Sequence, residues 1–470
     1  MLRRGSYLFI ALATVGCGDE QAADDGTTPI LFGATISRTG SSAVHTWGNA
    51  FELAASDATA GLEQAGFPTG KRLSFTTAIN DTQNQAMITV QRAIELAQQL
   101  GAKMILDGTS NDSLELNKLA YDADPANDIN VPIVCVACSS PAHHNPMAMN
   151  ADPIAQAAFR NGDKWHFGLS MASTPQARVL WNILVDKTPA GNEPGDLNGD
   201  GMVKISTIAI DDAFGTGFQD AFQSVLMATS PMAILERTTH PKDIDVNAYD
   251  WDASIDALVD DQTDGATDVV PDVLIEFTFA TQSIALAKAY AQTTHPFLFM
   301  HTHSMREEPA IVSSEGSIDG HEGTSYLPSD GASGEAFDTR FASEIGIPRQ
   351  SQWDAHVYDG TFLTALATVV ATKDMADPAQ LTGAQIRDAM FMLNDADGTT
   401  IGVGPGEFAK AAQAIAAGMP INYQGASGPC DFNENGRALN RLAHWGVEQG
   451  AVSNIAVYDC TADPMTCPKQ

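Results

Sequence analysis

Positive charge is scarce in this chain, whose 470 residues carry 25 Lys+Arg against 58 Asp+Glu for a formal charge of −33. So acidic a surface repels nucleic acid and anionic lipid, which excludes polyanionic partners. Long apolar runs are absent after the first residues, and nothing there offers the roughly 18 uninterrupted apolar residues of a membrane span. Catalytic signatures are missing too. No G-x-S-x-G, H-E-x-x-H or G-x-x-x-x-G-K-[ST] occurs, and "AGFPTGKR" lacks both the first glycine and the final hydroxyl of the last pattern. Without a nucleophile and base in a recognisable spacing, an enzyme is not expected. What the chain does have is 44% hydrophobic content, ample for two or more units with buried cores.

The opening "MLRRGSYLFIALATVGCGDEQAADDGTTP" joins a basic start, Arg3 and Arg4, to an apolar core of about ten residues, too short for a mature span and characteristic of an export signal. Thr14-Val15-Gly16-Cys17 resembles a bacterial lipobox, with Thr14 where that pattern prefers Leu. Residues 1–17 are therefore expected to be a lipoprotein signal ending in the lipidated Cys17, and 18–28 a flexible acidic tether. The other reading is ordinary cleavage near Gly16, leaving Cys17 as a thiol. Excluding Cys17, five cysteines remain, an odd number in an oxidising compartment, so one stays unpaired or pairs in trans. Cys135 and Cys138 form a C-x-x-C inside "VPIVCVACSSP", which reads as a buried strand and its exit turn. With no second Cys or His pair at zinc spacing, they are expected to be two small core residues.

Apolar strand-like runs recur at 30–36, 73–79, 103–107, 131–137, 165–169, 203–211, 272–277 and 296–300, with amphipathic stretches between them, a βαβα pattern. In "AMITVQRAIELAQQLGAK", Met87, Val90, Ile94, Ala97 and Leu100 share a helical stripe that closes at Gly101. Three early strands run out into small polar turns at Thr39–Ser42, Gly108–Asn111 and Ser139–Ser140. Ligands of open parallel sheets sit outside the carboxyl ends of the strands, so these exits should converge on one crevice. A second βαβ series from about Val203 predicts a second sheet, and hence two lobes around a cleft. In "DLNGDG", Asp196, Asn198, Asp200 and Gly201 match the opening of a calcium loop, but position twelve is Thr207 instead of Glu. A weak calcium site and an Asx-rich turn are the two readings, and no other cofactor or metal is expected.

The stretches "GATISRTGSSAVHTWGNAFELAASDA", "VCVACSSPAH", "IAIDDAFGTGFQDAFQSVL", "VYDGTFLTALATVV" and "INYQGASGPCDFNENG" stand in a characteristic order and spacing. In these the chain resembles the type I periplasmic binding proteins, in the leucine/isoleucine/valine-binding and amide-binding branch of ABC-transporter substrate-binding lipoproteins. The resemblance covers Pro29 to about Tyr458. It implies an α/β fold of two doubly wound parallel-sheet lobes joined by three hinge crossovers, closing on a small ligand like a Venus flytrap. The implied division is 29–165 and 304–420 for lobe 1, 166–303 and 421–460 for lobe 2, with 461–470 as a tail. It further implies a monomer that delivers a small carboxylate- or amide-type ligand to an ABC permease from the periplasm of a Gram-negative-type bacterium, touching the membrane only through its lipid anchor. The alternatives are a ligand-sensing lipoprotein serving a receptor and, further off, a cleft hydrolase.

Carried over position by position, the resemblance puts Ser41, Ser42 and Trp47 at the cleft, followed by Ser110 and Asn111, then Ala137, Cys138 and Ser139, whose N–H and hydroxyl groups would hold a carboxylate or amide. Phe214 replaces the family's stacking Tyr, and Thr281 stands where amino-acid binders place an acid. A buried ammonium without a carboxylate is unfavourable, so a free α-amino acid is not expected unless Glu276, five residues earlier, substitutes. Phe277 and Phe279 are cleft or core candidates, and the aromatic content points to a partly aromatic ligand. His301 is taken as cleft-facing, whereas His303, His143 and His144 read as loop histidines or as additional cleft groups. Cys430 is expected to pair with Cys460 or Cys467, because the ends of that segment should meet in the second lobe.

Overall fold

A computed structural model describes residues 26–39, 44–121, 128–143, 164–259, 270–293, 295, 297–327, 329 and 331–470. The first lobe begins with β1 (Thr28–Ile36), α1 (Thr46–Ala65), β2 (Leu73–Asp81), α2 (Ala86–Ile94, continued by a π turn over Glu95–Gln99), β3 (Ile105–Thr109), α3 (Ser110–Tyr121), β4 (Ile133–Ala137) and β5 (His166–Gly168). These strands form a five-stranded parallel sheet in the order β2-β1-β3-β4-β5. Because helices cover both faces, the central strand β3 is buried at every position and β4 reads as a continuous apolar run without alternation.

The chain then crosses into α4 (Ser173–Lys187), β6 (Lys204–Ile210), α5 (Gly215–Thr229), β7 (Ile234–His240), α6 (Trp251–Val259), β8 (Val273–Phe277), α7 (Ala280–Tyr290), β9 (Leu298–His301), α8 (Glu308–Ser313) and β10 (Glu322–Tyr326). It returns for α9 (Ala332–Ile345), α10 (Trp353–Thr372), α11 (Gly383–Met390), β11 (Thr399–Ile401), α12 (Pro405–Ala416) and β12 (Ile421–Tyr423), and ends in the hairpin β13 (Arg441–Glu448) and β14 (Ala451–Asp459). The second sheet runs β14-β13-β10-β9-β8-β6-β7, parallel except for the terminal hairpin. Two doubly wound lobes are therefore present, but the expected divisions shift. β5 pairs with β4, so the first lobe runs past 165. β10 belongs to the second sheet, so the return to lobe 1 starts after Tyr326 and not at 304. β12 pairs with β11, so the final crossing follows Tyr423.

Three crossovers lie side by side. Gly168 exchanges backbone hydrogen bonds with Gly436 and Ala438, Leu327 N donates to Arg441 O at 3.0 Å, and Ser329 N donates to Ala426 O at 3.1 Å. The last crossover is fastened to α10, a helix buried almost all round. Asp359 accepts from Tyr423 Oη (2.7 Å), Ala426 N (2.9 Å) and Ser427 N (2.7 Å). Gly425 makes this possible, since a Cβ there would lie 2.4 Å from an Asp359 oxygen.

Cysteine pairing differs from expectation. Cys460 bonds to Cys467, Cys135 bonds to Cys138, and Cys430 is a buried thiol. Cys430 faces α10, with Sγ 3.5 Å from Asp359 Oδ2, whereas Cys460 and Cys467 close a short turn after β14. In the 196–202 loop the Asp196 carboxylate accepts from Gly199 N (2.6 Å) and Gly201 N (3.1 Å), and Asn198 and Asp200 cap the N–H groups two residues on. Among the described residues, no helix is long and apolar enough to cross a membrane. Cys17 and the tether up to residue 25 lie outside the described residues.

Candidate functional site

Strand order reverses at β1/β3 in one sheet and at β6/β8 in the other, and the carboxyl ends of both switch points face a cavity of about 400 Å³. The first lobe supplies Val44, His45 and Trp47 after β1, Thr109 and Ser110 after β3, and Ala137 after β4. The second supplies Phe214 after β6, Phe279 to Thr281 and Ile284 after β8, and His303, Ser304 and Glu307 after β9. Gln350 and Trp353, at the start of α10, close one side.

Each aromatic group is held by its neighbours. Trp47 lies flat on the end of β3 because residue 108 is glycine, where a Cβ would come within 2.8 Å of the indole. Its Nε1 has no partner among the described residues, although the group is buried, so it remains available as a donor. Phe214 stacks on Phe279 at 5.4 Å, and His303 packs against Phe214 (5.3 Å) and edge-on to Trp353 (5.2 Å). Asp212 sets Phe214 in place by accepting from the N–H groups of Phe214 and Gly215, both at 2.9 Å. Gly215 and Gly217 have separate tasks. A Cβ at 215 would strike Ile210 O at 2.2 Å, and one at 217 would lie 2.9 Å from Ser140 Oγ across the cleft. The lobes also meet where Lys242 Nζ donates to Asn84 O at 3.0 Å.

Among the described residues, the cavity wall contains no Lys or Arg. Its acid is Glu307, whose Oε1 accepts from Ser351 Oγ (2.7 Å) and Gln352 N (3.2 Å) and whose pKa burial pushes up to about 7. Burial drives His303 down to about 3, so its ring is neutral. Among the described residues, an anionic end of a ligand can be met here by N–H and hydroxyl groups, such as those at the starts of α3 and α7. A donor end has Glu307 to meet it.

Of the expected site residues, Trp47, Ser110, Ala137, Phe214, Phe279 and Thr281 are brought together at this cavity. Ser41, Ser42 and His144 lie outside the described residues. Asn111 is half-buried on α3 and off the wall, and Cys138 and Ser139 turn behind Ala137 into the lobe, fully buried. His301 is corrected outright. It is buried among Glu276, His321 and Phe299, with its ring 4.6 Å from that of Phe299 and Nδ1 3.2 Å from Glu276 Oε1. The 3-10 turn that follows β9 carries His303 to the cleft instead. Glu276 belongs to that buried network and cannot stand in for an acid at Thr281. His143 is buried as well, and Phe277 is core. Glu307 and Trp353 were not anticipated. Glu307 could have been found as the acid beyond a strand's carboxyl end, whereas nothing local marks Trp353.

No family model matches this chain, and no curated protein does. Solved structures match over nearly the full length. The branched-chain amino acid transporter substrate binding protein LivJ of Streptococcus pneumoniae, in complex with isoleucine, is 14% identical, with a TM-score of 0.61 over 91% of this chain and 98% of that one. A solute binding protein from R. palustris in complex with benzoate is 15% identical, with a TM-score of 0.62 over 94% and 98%. One from Rhodopseudomonas palustris BisB5 in complex with 3,4-dihydroxy benzoic acid is 16% identical, with a TM-score of 0.61 over 92% and 97%. The fold is that of the type I periplasmic binding proteins.

Proposed function

We propose that this chain is an extracytoplasmic solute-binding protein that closes on a small, partly apolar or aromatic ligand with a carboxylate or amide end and presents it to an ABC importer. The observation that carries this reading is the cavity at the switch points of both sheets, walled by Trp47, Phe214, Phe279, His303 and Trp353, with Glu307 as its acid and, among the described residues, no Lys or Arg. Aromatic faces supply the buried contact area, and N–H groups of α3 and α7 take the polar end. Glu307 favours a ligand that also carries a donor, such as a hydroxyl, amide or amine. Benzoate and 3,4-dihydroxy benzoic acid in two of the structural neighbours support an aromatic acid as the first class to try. Among the described residues, no nucleophile hydrogen-bonded to a base lines the cavity, which favours binding over catalysis.

A thermal-shift screen of aromatic acids, amides and branched-chain amino acids, followed by small-angle scattering on each hit, tests this. A raised midpoint together with a more compact particle is expected, and an unchanged particle at saturating ligand would overturn the closure reading. Anchoring through lipidated Cys17 belongs to the same proposal. Cys17→Ser should move the protein from the membrane fraction to the soluble periplasm, and unchanged fractionation would remove the anchor.

A further inference from the structure

Directly behind Ala137 lies a cluster that ligand binding does not use. One ligand atom from each of Cys135, Cys138 and His166 lies within 4.8 Å of the other two, and all three residues are buried. The cysteines are joined as a disulfide with Cα atoms 5.8 Å apart, a separation that suits a C-x-x-C metal chelate as well. The imidazole is fixed on two sides, with Ser113 Oγ 2.8 Å from Nε2 and the His143 ring stacked at 5.1 Å. Beside the pair sits Arg437, 3% exposed, whose guanidinium donates to the Cys138 carbonyl. Among the described residues no carboxylate bonds to that guanidinium, and its Nε has no partner.

We infer that the reduced form of this cluster is a thiol-gated site for a soft monovalent cation, Cu(I), held by Cys135, Cys138 and His166. Two thiolate sulfurs and one imidazole nitrogen are soft-to-borderline donors in a three-coordinate set, which Cu(I) accepts and Zn²⁺, with its demand for four ligands, does not. Charge argues the same way. Two thiolates, one Cu(I) and the Arg437 guanidinium sum to zero in a buried space, whereas a divalent ion leaves a net positive charge there. The gate is the disulfide. A dithiol donor delivers two electrons and two protons to the Cys135–Cys138 bond and leaves as its own disulfide, giving two thiols. Cu(I) then binds as both thiol protons pass to solvent. Access runs through the cleft, since Ala137 between the two cysteines lines the ligand cavity.

The test uses the whole chain, anaerobically, reduced with a water-soluble phosphine that is then removed, and titrated with Cu(I) against a chromogenic Cu(I) chelator. The reduced protein should withdraw one Cu(I) per chain and the oxidised protein none. Cys135→Ser and Cys138→Ser should abolish withdrawal, and His166→Gln should weaken it by about tenfold or more. Cys460→Ser/Cys467→Ser should leave it unchanged. The comparison of oxidised with reduced wild type needs no variant, so it decides the matter even if a serine variant fails to fold. The proposal is overturned if the reduced protein takes no Cu(I), if Cys135→Ser takes as much as wild type, or if the disulfide resists the phosphine in the folded protein.

Discussion

The wall contributed by the first sheet meets the cavity with Trp47 and a set of small or polar residues, Val44, Thr109, Ser110 and Ala137, whereas the second sheet's wall brings Phe214, Phe279, His303 and Glu307. Both walls arise in the same way, from strand exits at a switch point, so topology does not explain why they differ. Residue type at the exit does. Small residues leave N–H and hydroxyl groups uncovered for a polar ligand end, and bulky ones exclude water from its body. The comparison assigns polar recognition to the first lobe and apolar recognition to the second, with two exceptions. Trp47 is an aromatic on the polar side, and Glu307 is an acid on the apolar side.

Those exceptions are where the comparison can be broken. Trp47→Ala should weaken binding of an identified ligand by about 2–4 kcal/mol, because a large desolvated face is lost. Calorimetry that finds parental affinity, with the fold checked by its thermal midpoint, would reduce Trp47 to a packing residue over Gly108. Glu307→Gln should weaken a donor-bearing ligand by about 1.5–3 kcal/mol and leave a ligand without a donor nearly unchanged. Equal losses for both would show that Glu307 faces its own lobe and not the ligand.

Glu307 also makes a prediction that needs no ligand. Its folded pKa of about 7 lies above the ordinary glutamate value of 4.5, so between those two values the folded state keeps a proton that the unfolded state has lost. This group's contribution is therefore greatest below pH 4.5, declines as pH rises to about 7, and is constant above that. The stability gap between Glu307→Gln and wild type should widen across this window and then level off. A gap independent of pH would mean that the carboxyl is not desolvated.

A smaller effect is expected where the walls meet. Gly217→Leu should hold the lobes apart at Ser140 and weaken binding by about 1–3 kcal/mol, while scattering shows less compaction with ligand. Unchanged compaction would place the closing contact elsewhere. Ser139→Ala should have the smallest effect, under about 0.5 kcal/mol on affinity, since Ser139 is buried behind Ala137. A loss of 1.5 kcal/mol or more, as for a hydrogen bond to a charged ligand, would put it back on the first wall.

By itself the sequence determined what local periodicity and turn chemistry can determine. The alternation of apolar runs with helical stripes required two βαβ series, and of the three polar exits the one after β3 marked Ser110 on the wall. Phe214 was legible only through the family resemblance, as the counterpart of a stacking Tyr, and Phe279 only as a residue that could be cleft or core. Tertiary structure decided whatever depends on chain segments far apart in sequence. Trp353 and Gln350 reach the cavity only because the chain returns to the first lobe after β10. One 3-10 turn brings His303 to the cleft while His301 stays buried on Glu276, a difference that no spacing records. The cysteines show the same limit. Cys430 lies in the last crossover and packs against α10, while Cys460 and Cys467 close a turn after β14, and His166 joins Cys135 and Cys138 through the pairing of β4 with β5. Proximity of this kind is set by sheet order and register, which side-chain periodicity along a single strand does not encode.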